Sequence, residues 1–175
     1  MEVKVEDLKK AILDVPDYPK EGIIFKDLTT LWKKKGYFTE SINLIAEKYK
    51  DKGIDKIVAP EARGFIIGAP LAYILNAGFI PVRKKGKLPR ETISESYELE
   101  YGTETLYMHK DAIEEGDNVL IVDDLIATGG TSLAIANMVK KLNGKVAGFA
   151  FLVELEFLKG REVLKEYNVF SIIKY

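Results

Sequence analysis

The chain predicts an α/β fold, a parallel sheet with helices on both faces. Three observations carry that expectation. Short apolar runs with β-branched residues recur, such as Val119-Leu120-Ile121-Val122, and suit parallel strands buried on both sides. Stretches with helical spacing alternate with these runs, which is the pattern of strand–helix–strand units. A small-residue turn, Ala127-Thr128-Gly129-Gly130-Thr131, joins the clearest strand to the helix that follows it.

Taken in order, residues 3–13 have helical spacing, with Val5, Leu8, Ile12 and Leu13 near one side. Residues 15–22 hold two prolines and a glycine and cannot form a regular helix. An apolar segment follows at 23–28. Residues 37–49 form an amphipathic helix, with Phe38, Ile42, Ile45, Ala46 and Tyr49 inward. A strand at 54–59 runs into Pro60-Glu61-Ala62-Arg63-Gly64, which opens an apolar helix at 65–75. Pro70 inside that helix predicts a kink or a late start.

The next strand, 79–82, empties into residues 83–90, with five cations in eight positions. That loop lies at the sheet edge where open α/β folds bind ligands. Residues 91–107 are polar and weakly periodic, a long excursion with an extended part at 104–109, and long loops in compact domains are often lids. After the 119–122 strand, Asp123 and Asp124 stand where the strand leaves the sheet. Thr131 or Ser132 can cap the next helix, whose apolar side is Leu133, Ile135, Ala136, Val139 and Leu142. Asn143-Gly144 stops it. A strand at 146–155, a short helix at 160–167 and a strand at 169–173 complete the alternation, in what reads as one domain over 1–175. His109 and Trp32 read as structural.

The 119–133 stretch explains its own chemistry. Two glycines allow positive φ and let backbone N–H groups come close to an anion. The helix start adds donors and partial positive charge, worth ~0.3–1 kcal/mol to an anion. Two carboxylates just upstream would repel phosphate, so they face hydroxyl groups or a metal. Together these features describe a site for a ribose 5-phosphate. A P-loop would need a lysine after the glycines, and a Rossmann turn needs G-x-G-x-x-G; neither is present. Arg63, between a strand end, a glycine and a helix start, suits a second anion.

Composition narrows the partners. A formal net charge of -1 offers no basic surface for nucleic acid. No run is long enough to span a membrane, and the charged N-terminus lacks the apolar core of a signal peptide. No cysteine is present, so disulfides and thiol chemistry are excluded. These points favour the cytoplasm.

The VDDLIATGGTS run (122–132) resembles the 5-phosphoribosyl-1-diphosphate (PRPP) signature of the type I phosphoribosyltransferases. PDYPKEGIIFKDLT (16–29), PEARGFIIGAPLA (60–72) and PVRKKGKLPRETISESYELEYG (81–102), in the same order, resemble the adenine branch of that family over nearly the whole chain. The resemblance implies transfer of the phosphoribosyl group from PRPP to adenine, with Mg2+ held mainly through the diphosphate and water, in a homodimer. It implies that Ala127, Thr128, Gly129, Gly130 and Thr131 bind the 5-phosphate, and that Asp123 and Asp124 bind the ribose hydroxyls. Arg63 and its loop would meet the diphosphate, with a cis Glu61–Ala62 peptide, while Arg83, Lys84 and Lys87 neutralise PRPP. Ile24 and Lys26 would read the adenine edge through their backbones, and Phe25 would stack on the base, within a hood over 1–30. Glu100 and Tyr101, in a mobile lid over 84–108, would be the catalytic residues together with Arg63. Two departures stand out: many relatives have proline at Glu21 and arginine at Lys26. Competing readings are the same reaction on hypoxanthine or xanthine, and a PRPP-binding regulator, which would call for a DNA-binding domain and a basic face.

Overall fold

The computed structural model describes residues 3–99 and 102–175. The chain divides into two compact units, 1–44 and 45–175.

In the first unit, α1 (Val5–Ala11) buries Leu8 and Ala11, and the Asp7 carboxylate accepts the Lys4 N–H at 3.1 Å to close its first turn. Strands β1 (Leu13–Pro16) and β2 (Ile24–Asp27) pair antiparallel, with Val15 opposite Phe25 and Asp14 opposite Lys26. The turn between them fits its composition: Asp17 has φ 55°, and its carboxylate accepts the Gly22 N–H at 2.8 Å. Thr30, on the short helix α2 (Thr29–Trp32), places its hydroxyl 2.7 Å from the carbonyls of both Ala11 and Asp27, its one proton shared between them, and accepts the Leu13 N–H at 3.1 Å. One hydroxyl thereby ties α1, β1 and β2 together. Helix α3 (Tyr37–Tyr49) straddles the unit boundary and has the predicted bounds.

The second unit is a parallel sheet of five strands: β3 (Lys56–Pro60), β4 (Gly78–Val82), β7 (Asn118–Ile126), β8 (Lys145–Glu154) and β9 (Val169–Lys174). Their order is β4-β3-β7-β8-β9. Helix α4 (Arg63–Leu75) carries the chain from β3 outward to β4, and α5 (Gly130–Lys141) carries it from β7 outward to β8. These crossovers run in opposite directions, and right-handed connections then put the two helices on opposite faces. Residue parity agrees. Val119 and Ile121 pack with Val58, Phe149, Phe151 and the α5 residues Ile135, Met138 and Val139. Leu120 and Val122, also fully buried, face the other way. Each such side chain contributes about 1.5–3 kcal/mol when buried.

Four expectations are corrected. Helix α4 starts at Arg63 rather than 65 and keeps Pro70 inside it, so Pro70 delays nothing; the Ile66 carbonyl simply loses a donor. Strand β7 does not end at Val122 but continues to Ile126, because Asp123 pairs with Phe151 and Leu125 with Val153. Neither Thr131 nor Ser132 caps α5; Gly129, at φ 84°, is the cap residue and no side chain bonds there. Residues 164–167 make a turn rather than extending the short α6 (Gly160–Val163). The stop at Asn143-Gly144 matches: Asn143 has φ 62° and the Gly144 N–H reaches the Val139 carbonyl at 3.0 Å.

The polar excursion is a hairpin, β5 (Thr92–Leu99) paired antiparallel with β6 (Gly102–His109). Glu95 pairs with Lys141 of α5 and accepts the Asn137 amide at 3.1 Å, which fixes the hairpin on that helix.

Candidate active site

Strands β3 and β7 are neighbours whose connections leave in opposite directions, so a crevice opens between their carboxyl ends. Open α/β sheets bind ligands at this switch point. A cavity of about 190 Å³ lies there, lined by residues 60–63 from the β3–α4 junction, by Asp123, Asp124 and Thr131, by Lys84, and by Tyr97, Glu104 and Leu106 of the hairpin.

Arg63 Nε stands 3.0 Å from Asp124 Oδ2 and links the two chain motifs across the cavity. Asp124 is buried, at 2% exposure, and the Asp123 Oδ1 accepts its N–H at 2.8 Å. That Asp124 oxygen receives no aligned hydrogen bond, so the contact with Arg63 is an ion pair in character. Burial, joined by the charge of Asp124, pushes the Asp123 carboxyl well above the usual range. Burial also raises Asp124, with the Arg63 guanidinium acting against it. Gly64 permits this closeness: a Cβ there would lie 2.9 Å from Pro60 Cδ and 3.0 Å from Asp123 Oδ1.

The peptide between Glu61 and Ala62 is cis, as the family resemblance implies. The Glu61 carboxylate accepts the Lys84 N–H at 2.7 Å and lies 3.4 Å from Arg83 Nε. Those partners, the Lys84 amide first, hold its carboxyl below the usual range.

The loop 127–129 leads into α5. The first intrahelical bond there runs from the Leu133 N–H to the Gly129 carbonyl at 3.0 Å, so the N–H groups of Gly130, Thr131 and Ser132 have no helical acceptor. They form a donor cluster for an anion. Tyr97 covers this turn: a Cβ on Gly130 would sit 3.0 Å from its Cδ2.

Of the residues singled out from sequence, Arg63, Lys84, Asp123, Asp124 and Thr131 meet at the cavity. Ala127, Thr128 and Gly129 form the adjoining turn, and Gly130 is the first residue of α5. Arg83 stands beside Glu61 and donates to the Lys87 carbonyl at 3.4 Å, while Lys87 itself is exposed. Glu100 and Tyr101 lie outside the described residues. Ile24, Phe25 and Lys26 form β2 of the first unit, where Tyr18 meets the Phe25 ring edge-on at 5.1 Å and Lys26 bonds Asp14 at 2.6 Å. Sequence reasoning missed Tyr97 and Glu104, which pair directly across the hairpin. The alternation Ile93, Glu95, Tyr97 against Ser94, Ser96, Glu98 was the signal that could have found the strand.

A switch-point cavity beside a donor-rich turn, with an acid pair paired to an arginine, defines the class of type I phosphoribosyltransferases. The phosphoribosyl transferase domain family matches residues 29–175. An adenine phosphoribosyltransferase of Brachyspira hyodysenteriae is 58% identical over 169 residues, covering 97% of this chain and 99% of the relative. The crystal structure of the Thermoanaerobacter pseudethanolicus adenine phosphoribosyltransferase superposes with a TM-score of 0.95 at 53% identity, covering 98% of this chain and 100% of that one. The Saccharomyces cerevisiae adenine phosphoribosyltransferase, solved with an imino-altritol bisphosphate and adenine, gives a TM-score of 0.90 at 41% identity, covering 96% and 97%. The chain belongs to the adenine phosphoribosyltransferase family.

Proposed function

We propose that the switch-point cavity is where PRPP and adenine react, with the residues of this chain in the roles that follow. As a member of its family the chain transfers the 5-phosphoribosyl group from PRPP to adenine, giving AMP and diphosphate. The observation that carries the role assignment is the meeting of the donor-rich turn, the acid pair and Arg63 at one cavity.

The turn 127–131 holds the 5-phosphate through its backbone donors, and Asp123 and Asp124 accept the ribose hydroxyls. The C1–oxygen bond to diphosphate breaks with its electron pair leaving on oxygen, while the N9 lone pair of adenine forms the new C1–N bond. Arg63 and Lys84, aided by Arg83 and Lys87, receive the negative charge that grows on the departing diphosphate. Ile24 and Lys26 read the adenine edge through their backbones, and Phe25 stacks on the base, in a base-binding segment over 1–30. Glu100 takes the proton released from the ring, and Tyr101 closes with it, in a lid over 84–108 that excludes water.

Mg2+ fits this donor set. Among the described residues no group of three or more acids or histidines could hold an ion alone, so diphosphate oxygens and water would supply most of its ligands, with Asp123 and Asp124 close by. When bound it would offset charge on the leaving group. Among the described residues no helix is long and apolar enough to cross a membrane. A homodimer in the cytoplasm is the state the family resemblance supports.

The test is diphosphate release from PRPP and Mg2+ with a panel of bases. Adenine is expected to exceed hypoxanthine by at least roughly 10²-fold in kcat/KM, because a site pairing with the exocyclic amine leaves polar groups unmatched against an oxo base. Comparable efficiency on both bases would count against adenine.

A further inference from the structure

Next to the phosphate turn, outside the lining of the cavity, lies a half-buried charged cluster that the proposed reaction does not use. Glu154 is the last residue of β8 and only 4% exposed. Both its oxygens are engaged: Arg161 Nε donates to Oε1 at 2.9 Å, and Arg161 Nη2 and the Ser171 hydroxyl donate to Oε2 at 2.5 Å each. Arg161 also reaches the Val169 carbonyl at 2.7 Å through Nη1 and the Ser171 Oγ at 3.2 Å through Nη2. One guanidinium on α6 thus joins the last residue of β8 to the first half of β9.

The segment that Arg161 anchors touches the phosphate turn backbone to backbone. A Cβ on Gly129 would lie 2.7 Å from the Gly160 carbonyl and 3.2 Å from Val163 Cβ. A Cβ on Gly160 would overlap the Ala127 carbonyl and lie 2.9 Å from Ile126 Cγ1. The Leu155 N–H bonds the Ile126 carbonyl at 3.0 Å, so the chain just after Glu154 is tied to the residue just before the turn. The closest approaches, Gly129 to the Gly160 carbonyl and Gly160 to the Ala127 carbonyl, are main chain against main chain, which leaves little room for a shift.

We propose that Glu154, Arg161 and Ser171 are positioning residues for the phosphate turn, an ionic brace that sets where residues 127–130 stand and hence how well the 5-phosphate is held. The proposal rests on the reading of that turn as the 5-phosphate site. With the Arg161 side chain 40% exposed, this pair is weak evidence for stability. What a forked guanidinium on a carboxylate adds is orientation, because two parallel bonds fix one geometry. That property matters beside a rigid anion site and is idle elsewhere on the surface.

The experiment measures the binding of ribose 5-phosphate and of inorganic diphosphate separately, together with steady-state kinetics on PRPP, for Arg161→Lys, Glu154→Gln, Ser171→Ala and Gly130→Val. Arg161→Lys keeps the charge but loses the fork. It should weaken ribose 5-phosphate and raise KM for PRPP by roughly ten- to a hundredfold, as a misplaced binding group does, with diphosphate binding and kcat within about twofold of wild type. Glu154→Gln should follow it, and the double variant should be little worse than either alone, since both act on one device. If Arg161→Lys fails to fold by thermal unfolding, Ser171→Ala carries the test, with a severalfold loss confined to ribose 5-phosphate. Wild-type ribose 5-phosphate affinity in the folded brace variants, with loss in Gly130→Val, overturns the brace alone. An unchanged Gly130→Val overturns the phosphate reading and the brace with it. Equal loss for ribose 5-phosphate and diphosphate marks general loosening and overturns positioning.

Discussion

Lys84 Nζ stands 3.1 Å from the Glu104 carboxylate, across the cavity where the diphosphate is proposed to bind. The pairing raises the lysine's pKa, the Glu104 hydrogen bond first and its charge second. Glu104 thereby holds a cation proposed to meet the diphosphate. Its side chain is 27% exposed and that of Lys84 59%, so the pair is solvent-screened and worth about 0.2–1 kcal/mol. Glu104→Gln should free Lys84 and lower KM for PRPP by roughly 1.5- to fivefold with kcat unchanged. A raised KM would mean that Glu104 orients Lys84 for substrate instead of competing for it.

Gly129 is tightly confined in the turn proposed to hold the 5-phosphate. Its φ of 84° disfavours any side chain, and a Cβ would press on the Gly160 carbonyl. Gly129→Ala should lose about 1–3 kcal/mol of stability in urea unfolding and raise KM for PRPP at least tenfold. A variant with unchanged midpoint and KM would show that the turn accommodates a methyl group.

Asp123, proposed to accept the ribose hydroxyls, is ionised at a cost to folding. Burial raises its carboxyl above the ordinary 3.8, so ionising it opposes the fold. The sign follows: an acid raised by folding loses stability as pH climbs from about 3.8 through its raised value. Asp123→Asn should therefore melt higher than wild type at pH 8, by roughly 2–4 °C for about 1 kcal/mol, with the gap closing toward pH 4. The same variant should bind PRPP more weakly. Melting below wild type at pH 8 would place Asp123 among stabilising charges.

Glu100 carries the proposed proton transfer. Glu100→Gln keeps shape and hydrogen bonding but cannot move the proton, so single-turnover rates should fall by about 10²–10⁴-fold while PRPP affinity holds. A wild-type single-turnover rate, or an equal loss from Glu98→Gln alone, would remove Glu100 from that role.

Much of this protein was legible from local pattern. The strand at 119–122, the helix at 37–49 and the stop at Asn143-Gly144 depend on periodicity and on backbone freedom, which are properties of neighbouring residues. Arg63, Asp123, Asp124 and Thr131 were identified by residue type at the ends of such elements, and the fold brings them together because the strands' carboxyl ends converge.

By itself, then, the sequence determined the order and kind of the main elements, the small-residue turn before α5 and the family. Tertiary structure alone decided how far β7 runs, since Asp123 and Leu125 extend the strand only by pairing with Phe151 and Val153 of β8. It alone turned the polar excursion into a hairpin bonded to α5, where Glu95 meets residues more than forty positions on. The same holds for Lys84 with Glu104 and for Arg161 with Glu154 and Ser171. Such contacts leave no periodic trace, because a charge reads alike in solvent and in a cavity until the chain has closed around it.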